Sequence, residues 1–211
     1  MREPSGIDAI LVGIDRALRT LSGGRASGRA SPGESVPERP LDDAERAHAA
    51  GLMRVNHAGE VCAQALYEGQ ALVARDPRVR ESLLDAAREE EDHLAWCSAR
   101  LDALGSRPSV LNPVWYGLSF AMGAVTGLLG DKLSLGFVAA TEDQVCKHLE
   151  RHLDALPADD ERSRAVVAQM HADEARHGTK ALEAGGVEFP APVKDLMTVV
   201  STLMTETSYR I

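Results

Sequence analysis

The stretch REEEDHLAW, residues 88–96, decides how this chain is read. Its composition favours helix, and helical spacing puts Glu90 and His93 on the face that also carries Leu83, Ala86, Cys97, Leu101 and Leu104. A carboxylate and an imidazole in an apolar stripe are costly unless something pairs with them. The stretch DEARH, residues 173–177, repeats the spacing as Glu174 and His177. Glu and His three apart on a helix can reach one metal ion together.

Taken alone, such a pair is weak evidence, since a third, Glu45/His48, also occurs. If its helix is continuous, Glu45 lies about 22 Å along the axis from Glu60, too far to share a site. Position separates the other two. Upstream of each lies a further Glu on an apolar face: Glu60 with Met53, Tyr67 and Ala71, and Glu142 with Leu135, Val138, Leu149 and Leu153. The chain is thus written twice as Glu, turn, Glu-x-x-His. Four helices then bring Glu60, Glu90, His93, Glu142, Glu174 and His177 to one interior point, the arrangement of ferritin-like di-iron carboxylate bundles. Carboxylate and imidazole donors suit iron or manganese, and the absence of Cys ligands argues against structural zinc. His57 and His171 each lie three residues before a candidate ligand and are placed outside the ligand set, as possible hydrogen-bond partners to it.

The remaining sequence sets the frame. In 211 residues, aromatics make up only 4% while Ala, Leu, Glu and Arg dominate, and no alternating strand pattern appears. Helices are expected over about 42–74, 78–104, 112–130, 132–155, 159–184 and 190–208, giving an all-α domain over 41–211. A net charge of −9 argues against a nucleic-acid partner. Three scattered cysteines, Cys62, Cys97 and Cys146, argue for a reducing compartment. Residues 1–21 read as an amphipathic helix, with Ile7, Ile10, Leu11, Ile14, Leu18 and Leu21 on one side, and Asp8 and Asp15 exclude a secretory signal. Residues 22–40, rich in Gly, Ser, Pro and Arg, read as a flexible linker.

Residues 108–130, PSVLNPVWYGLSFAMGAVTGLLG, carry no charge. As one helix they would reach about 34 Å, enough to cross a bilayer, and Trp115 and Tyr116 suit an interface. Yet a crossing would put Glu60 and Glu90 on one side of the membrane and Glu142 and Glu174 on the other. The segment is therefore expected to lie against one leaflet, as an additional apolar crossover helix.

From about Arg54 onward the chain resembles the demethoxyubiquinone hydroxylase family of ubiquinone biosynthesis, on RVNHAGE, EEEDHL, the uncharged segment, ATEDQV, DEARH and the terminal SYRI. The resemblance implies two Fe2+ ions held by the six residues selected above. It also implies a monooxygenase that hydroxylates the ring of a polyprenylated benzoquinol with O2, peripheral on the cytoplasmic side of a bacterial cell membrane. Other ubiquinone-biosynthesis proteins or a second copy of the chain are possible partners. Reductant use in the family is linked to aromatic residues near the site. At 148–149 this chain reads His-Leu, so the electron donor stays open. Two other classes compete: a ferritin-like iron store or peroxidase using the same ligands, and a helical membrane scaffold that binds no metal.

Overall fold

A computed structural model describes residues 6–22 and 27–211, with backbone alone for 6–10. Seven α-helices appear among the described residues: α1 Gly6–Ser22, α2 Asp43–Val73, α3 Pro77–Ala103, α4 Asn112–Leu128, α5 Asp131–Ala155, α6 Glu161–Glu183 and α7 Ala191–Arg210. A short 3-10 turn covers Pro32–Ser35. The fold is an all-α ferritin-like bundle, as the spacing predicts. Local chemistry sets the helix starts. Asp42 and Glu45 form a reciprocal capping box at α2, which explains the third Glu/His pair without any metal. Asp76 caps α3 ahead of Pro77, and Asp160 caps α6.

The bundle is two helical hairpins, α2/α3 and α5/α6, joined by the crossover α4. Two apolar layers fill it. One holds Met53, Cys97, Leu101, Leu149 and Met170; the other holds Tyr67, Leu83, Leu135, Val138 and Ala181. On every bundle helix the candidate ligands lie between these layers in sequence, so a polar layer is sandwiched between two dry ones.

Helix α4 packs chiefly along α2 through backbone contact. A Cβ at Gly69 would fall on the Phe120 carbonyl, and one at Gly123 on the Leu66 carbonyl, so only glycine permits this approach. The opposite stripe of α4, Val114, Leu118, Met122, Val125 and Leu128, is exposed. Tyr116 differs from the interfacial reading: it turns inward and donates to Glu68 Oε2 at 2.6 Å. Among the described residues no helix is long and apolar enough to cross a membrane.

On α1, Ala17 and Leu21 pack against Val61, Ala65 and Leu94, while Leu11, Ile14 and Leu18 are exposed. Ile7 and Ile10 lie outside the described side chains. Of the compositional linker, residues 23–26 lie outside the described residues. Residues 27–40 run along α3 and α6, where Gly33 is buried against Arg162 and Val166.

Candidate metal centre

All six candidate ligands are buried side chains of the polar layer, and Glu90 and His93 are fully enclosed. Glu60 comes from α2, Glu90 and His93 from α3, Glu142 from α5, and Glu174 and His177 from α6. Ligand atoms of Glu60, Glu90, His93 and Glu174 all lie within 4.8 Å of one another, a group able to hold a metal ion. His177 joins them through shared carboxylates, while Glu142 stands outside this group, near enough to feel the Glu174 and Glu90 charges. His93 Nδ1 lies 2.9 Å from Glu90 Oε2 and 3.2 Å from Glu174 Oε1. His177 Nδ1 lies 3.1 Å from Glu90 Oε1 and 3.2 Å from Glu174 Oε2. Glu90 and Glu174 therefore each turn one oxygen towards each histidine. Glu60 completes the His93 side, with Oε2 3.5 Å from Nδ1. Glu142 is held by the Tyr67 hydroxyl, which donates to its Oε1.

His93 Nε2 faces Asp173 Oδ2 at 3.0 Å and His177 Nε2 faces Glu89 Oε2 at 3.1 Å. A neutral imidazole that donates from Nε2 points its Nδ1 lone pair at the Glu oxygens, where lone pairs would meet lone pairs. Glu60 Oε2 and Glu90 Oε1 are buried and accept no hydrogen bond, although ring nitrogens lie 3.5 and 3.1 Å away. One Nδ1 cannot serve several oxygens at once. A cation between the rings and carboxylates satisfies all these groups, so the donor set fits a metal. Without one, burial above all, with the Glu90 and Glu174 charges, pushes the Glu60 carboxyl well above its usual range. Burial does the same to Glu142, again with the Glu174 and Glu90 charges beside it.

The outer partners are not those spacing suggests. His57 Nδ1 accepts from Asn112 Nδ2 at 3.2 Å, and Nε2 of the neutral ring donates to Ser98 Oγ at 3.0 Å, tying α2 to α3 and α4. His171 pairs with Glu150 at 3.2 Å on the surface between α5 and α6. The carboxylates behind the ring nitrogens are Asp173 and Glu89, each directly preceding the Glu of a Glu-x-x-His. They act crosswise: the acid of the second motif backs the histidine of the first, and the reverse. The signal was the repeated acid-Glu-x-x-His.

The family model described as "Ubiquinone biosynthesis protein COQ7" matches residues 47–208, which hold all six candidate ligands. A protein of Azotobacter vinelandii named 3-demethoxyubiquinol 3-hydroxylase is 58% identical over 212 residues, covering 100% of this chain and 98% of its own. Proteins of the same name from Stutzerimonas stutzeri, 59% identical with the same coverage, and Ralstonia pickettii, 56% identical over 97% of this chain and 100% of its own, agree. A duplicated Glu, Glu-x-x-His layer inside a bundle of this topology, and relatives matching end to end, lead to one conclusion: the chain belongs to the COQ7 family of ubiquinone biosynthesis proteins.

Proposed function

We propose that this chain is a 3-demethoxyubiquinol 3-hydroxylase, a monooxygenase in which Glu60, Glu90, His93, Glu142, Glu174 and His177 hold two ferrous ions. The observation that carries this reading is the pair of Nδ1 atoms facing carboxylate oxygens, two of them without a hydrogen bond. The reaction turns a ring C–H into C–OH; the second oxygen atom of O2 leaves as water, with two electrons and two protons consumed. Bound at this site, ferrous ions supply the electrons and Lewis acidity that O2 activation requires.

The residues do the rest. Four carboxylates neutralise two divalent cations, so the dry interior carries no net ligand-set charge. Asp173 and Glu89 hold the two imidazoles in the tautomer that presents Nδ1 inward. The Tyr67 hydroxyl orients Glu142, and the two apolar layers exclude water that would intercept activated oxygen.

The polyprenyl tail of such a substrate does not leave a bilayer readily, and the exposed stripe of α4 supports a peripheral attachment in which it lies in one leaflet. Residues 1–21, 22–40 and 41–211 are retained as proposed divisions of the chain. In a strain lacking its own hydroxylase, this chain is expected to clear the accumulated demethoxy precursor from the lipid extract. Glu90→Ala and Glu174→Ala should abolish that clearance and lower bound iron together, while Glu45→Gln, which keeps the helix cap, should do neither. Full activity in either alanine variant refutes the metal assignment. Iron accumulating well beyond two ions per chain would favour the iron-store reading.

A further inference from the structure

Residues 27–40 precede the region matched by the family model, yet they reach the back of the metal centre. Asp92 on α3 is wrapped by them: Ser27 Oγ donates to its Oδ1 at 2.9 Å, Gly28 N at 2.6 Å, and Arg29 Nε to its Oδ2 at 2.7 Å. The same guanidinium donates from Nη1 to Asp173 Oδ2 at 2.9 Å. That oxygen is the one facing His93 Nε2 at 3.0 Å. The guanidinium also lies 4.8 Å from the centre of the Trp96 ring, whose Nε1 donates to Ser27 Oγ at 3.0 Å. Further on, Arg162 Nε donates to the Val36 carbonyl at 2.8 Å, and Arg100 pairs with Glu38 at 2.9 Å. Hydropathy calls for none of this, because the contacts are charged and backbone groups.

The two outer carboxylates are held unequally. Asp173 is almost wholly buried, and its oxygens accept from His93, Arg29, Gln169 and Arg176. Glu89, one third exposed, is held by Arg176 at 3.0 Å and by Lys180 at 3.8 Å, where water competes.

We infer that residues 27–40 form a strap whose Arg29 is a positioning residue for the metal centre, acting through Asp173 on His93 and not on His177. The inference rests on the proposed ligand assignment. Its consequence is that the two metal subsites are inequivalent, the His93 subsite being the firmer because a segment from outside the bundle braces it. Loss of an outer-sphere partner typically weakens metal binding roughly 10–100-fold, and Arg29, one bond further out, should lie near the low end, about tenfold.

Titration of the full chain with Co2+, followed by its visible absorption, tests this. Wild type is expected to take up two ions in two steps. Arg29→Ala should weaken the tighter step about tenfold and shift its cobalt spectrum, leaving the weaker step within about twofold; the tenfold scale is that expected of outer-sphere loss. Arg29→Lys should recover part of the change, since one ammonium can reach Asp173 or Asp92 but not clamp both. Arg39→Ala, which cuts strap contacts to Asp159 and Glu161 far from the centre, should leave both steps intact. Unchanged steps and spectrum in Arg29→Ala would overturn the inference alone. So would an equal loss in both steps that Arg39→Ala reproduces, because the strap would then be a general staple. A wild type that binds no Co2+, or binding that survives Glu90→Ala, would overturn the ligand assignment and the inference with it.

Discussion

Replacing Glu60 by Gln should change stability with opposite signs in the metal-free and metal-loaded protein. Ligand oxygens of Glu60, Glu90 and Glu174 lie within 4.8 Å of one another. At that separation two ionised carboxylates repel by about 3.5 kcal/mol for an effective dielectric constant near 20. The metal-free protein meets this cost by repulsion or by keeping Glu60 protonated, as its raised carboxyl indicates. Gln keeps the shape, removes the charge and offers an amide that can donate to the neighbouring carboxylates. A gain of roughly 1–3 kcal/mol is expected in the presence of chelator, part of the full repulsion. For a chain of this size that is a rise of about 2–12 °C in melting temperature. With metal the sign reverses. A ligand lost at the His93 side that weakens binding about 100-fold removes roughly 2.7 kcal/mol of linkage stabilisation. Thermal unfolding followed by far-UV circular dichroism, with chelator and with excess Mn2+, reads both arms. A chelated variant no more stable than chelated wild type would mean that the carboxylates do not crowd one another, and the reasoning would fail.

Three other outcomes are expected. Burial holds His57 and His148 near about 4 and His152 near about 3, below their ordinary 6.5. As pH falls below 6.5 the unfolded chain takes up protons that the fold refuses, so stability present at pH 7 is lost towards pH 4, by about 1–2 kcal/mol per histidine at pH 5; His148→Gln/His152→Gln should flatten the decline in urea midpoints, and an unchanged slope would refute the assignment. Gly123→Ala should cost about 1–3 kcal/mol through overpacking against the Leu66 carbonyl, outweighing a helix-propensity gain of about 1 kcal/mol, while Gly117→Ala, with open space around its Cβ, should be neutral or stabilising. Leu128→Asp with Leu129→Asp should reduce co-flotation with phospholipid vesicles that high salt leaves intact, and normal flotation would move the attachment to another helix.

What the sequence made legible was whatever a single helix can display. Helix limits coincide with residues of cap or breaker type, such as Asp42, Pro77, Gly105 and Gly185, and the two glycines adopt positive φ. The six candidate ligands followed from offsets of three on apolar faces. The inward turn of Tyr116 and the bonds of His57 were not legible, because they depend on how α4 is rotated and slid against α2, which glycine contacts fix. The strap was invisible for another reason. Gly, Ser and Arg signal little apolar burial, but Arg29, Gly28 and Ser27 are fixed by carboxylates that α3 and α6 turn outward from the core.

The crossed pairing of outer carboxylates has a consequence for how the two hairpins depend on each other. Were Glu89 to back His93 and Asp173 to back His177, each of α3 and α6 could orient its own imidazole. Instead Asp173 on α6 fixes the ring on α3, and Glu89 on α3 fixes the ring on α6. Arg176 strengthens the cross-link, donating to Asp173 Oδ1 at 2.8 Å and Glu89 Oε2 at 3.0 Å from one nitrogen. Glu90 and Glu174 add the same logic inside the site, each facing both histidines. Neither repeat therefore orients its own imidazole, although each supplies three of the six candidate ligands. A duplicated motif that reads as two independent candidate metal sites is, in three dimensions, one polar layer whose imidazoles are each held by the opposite hairpin.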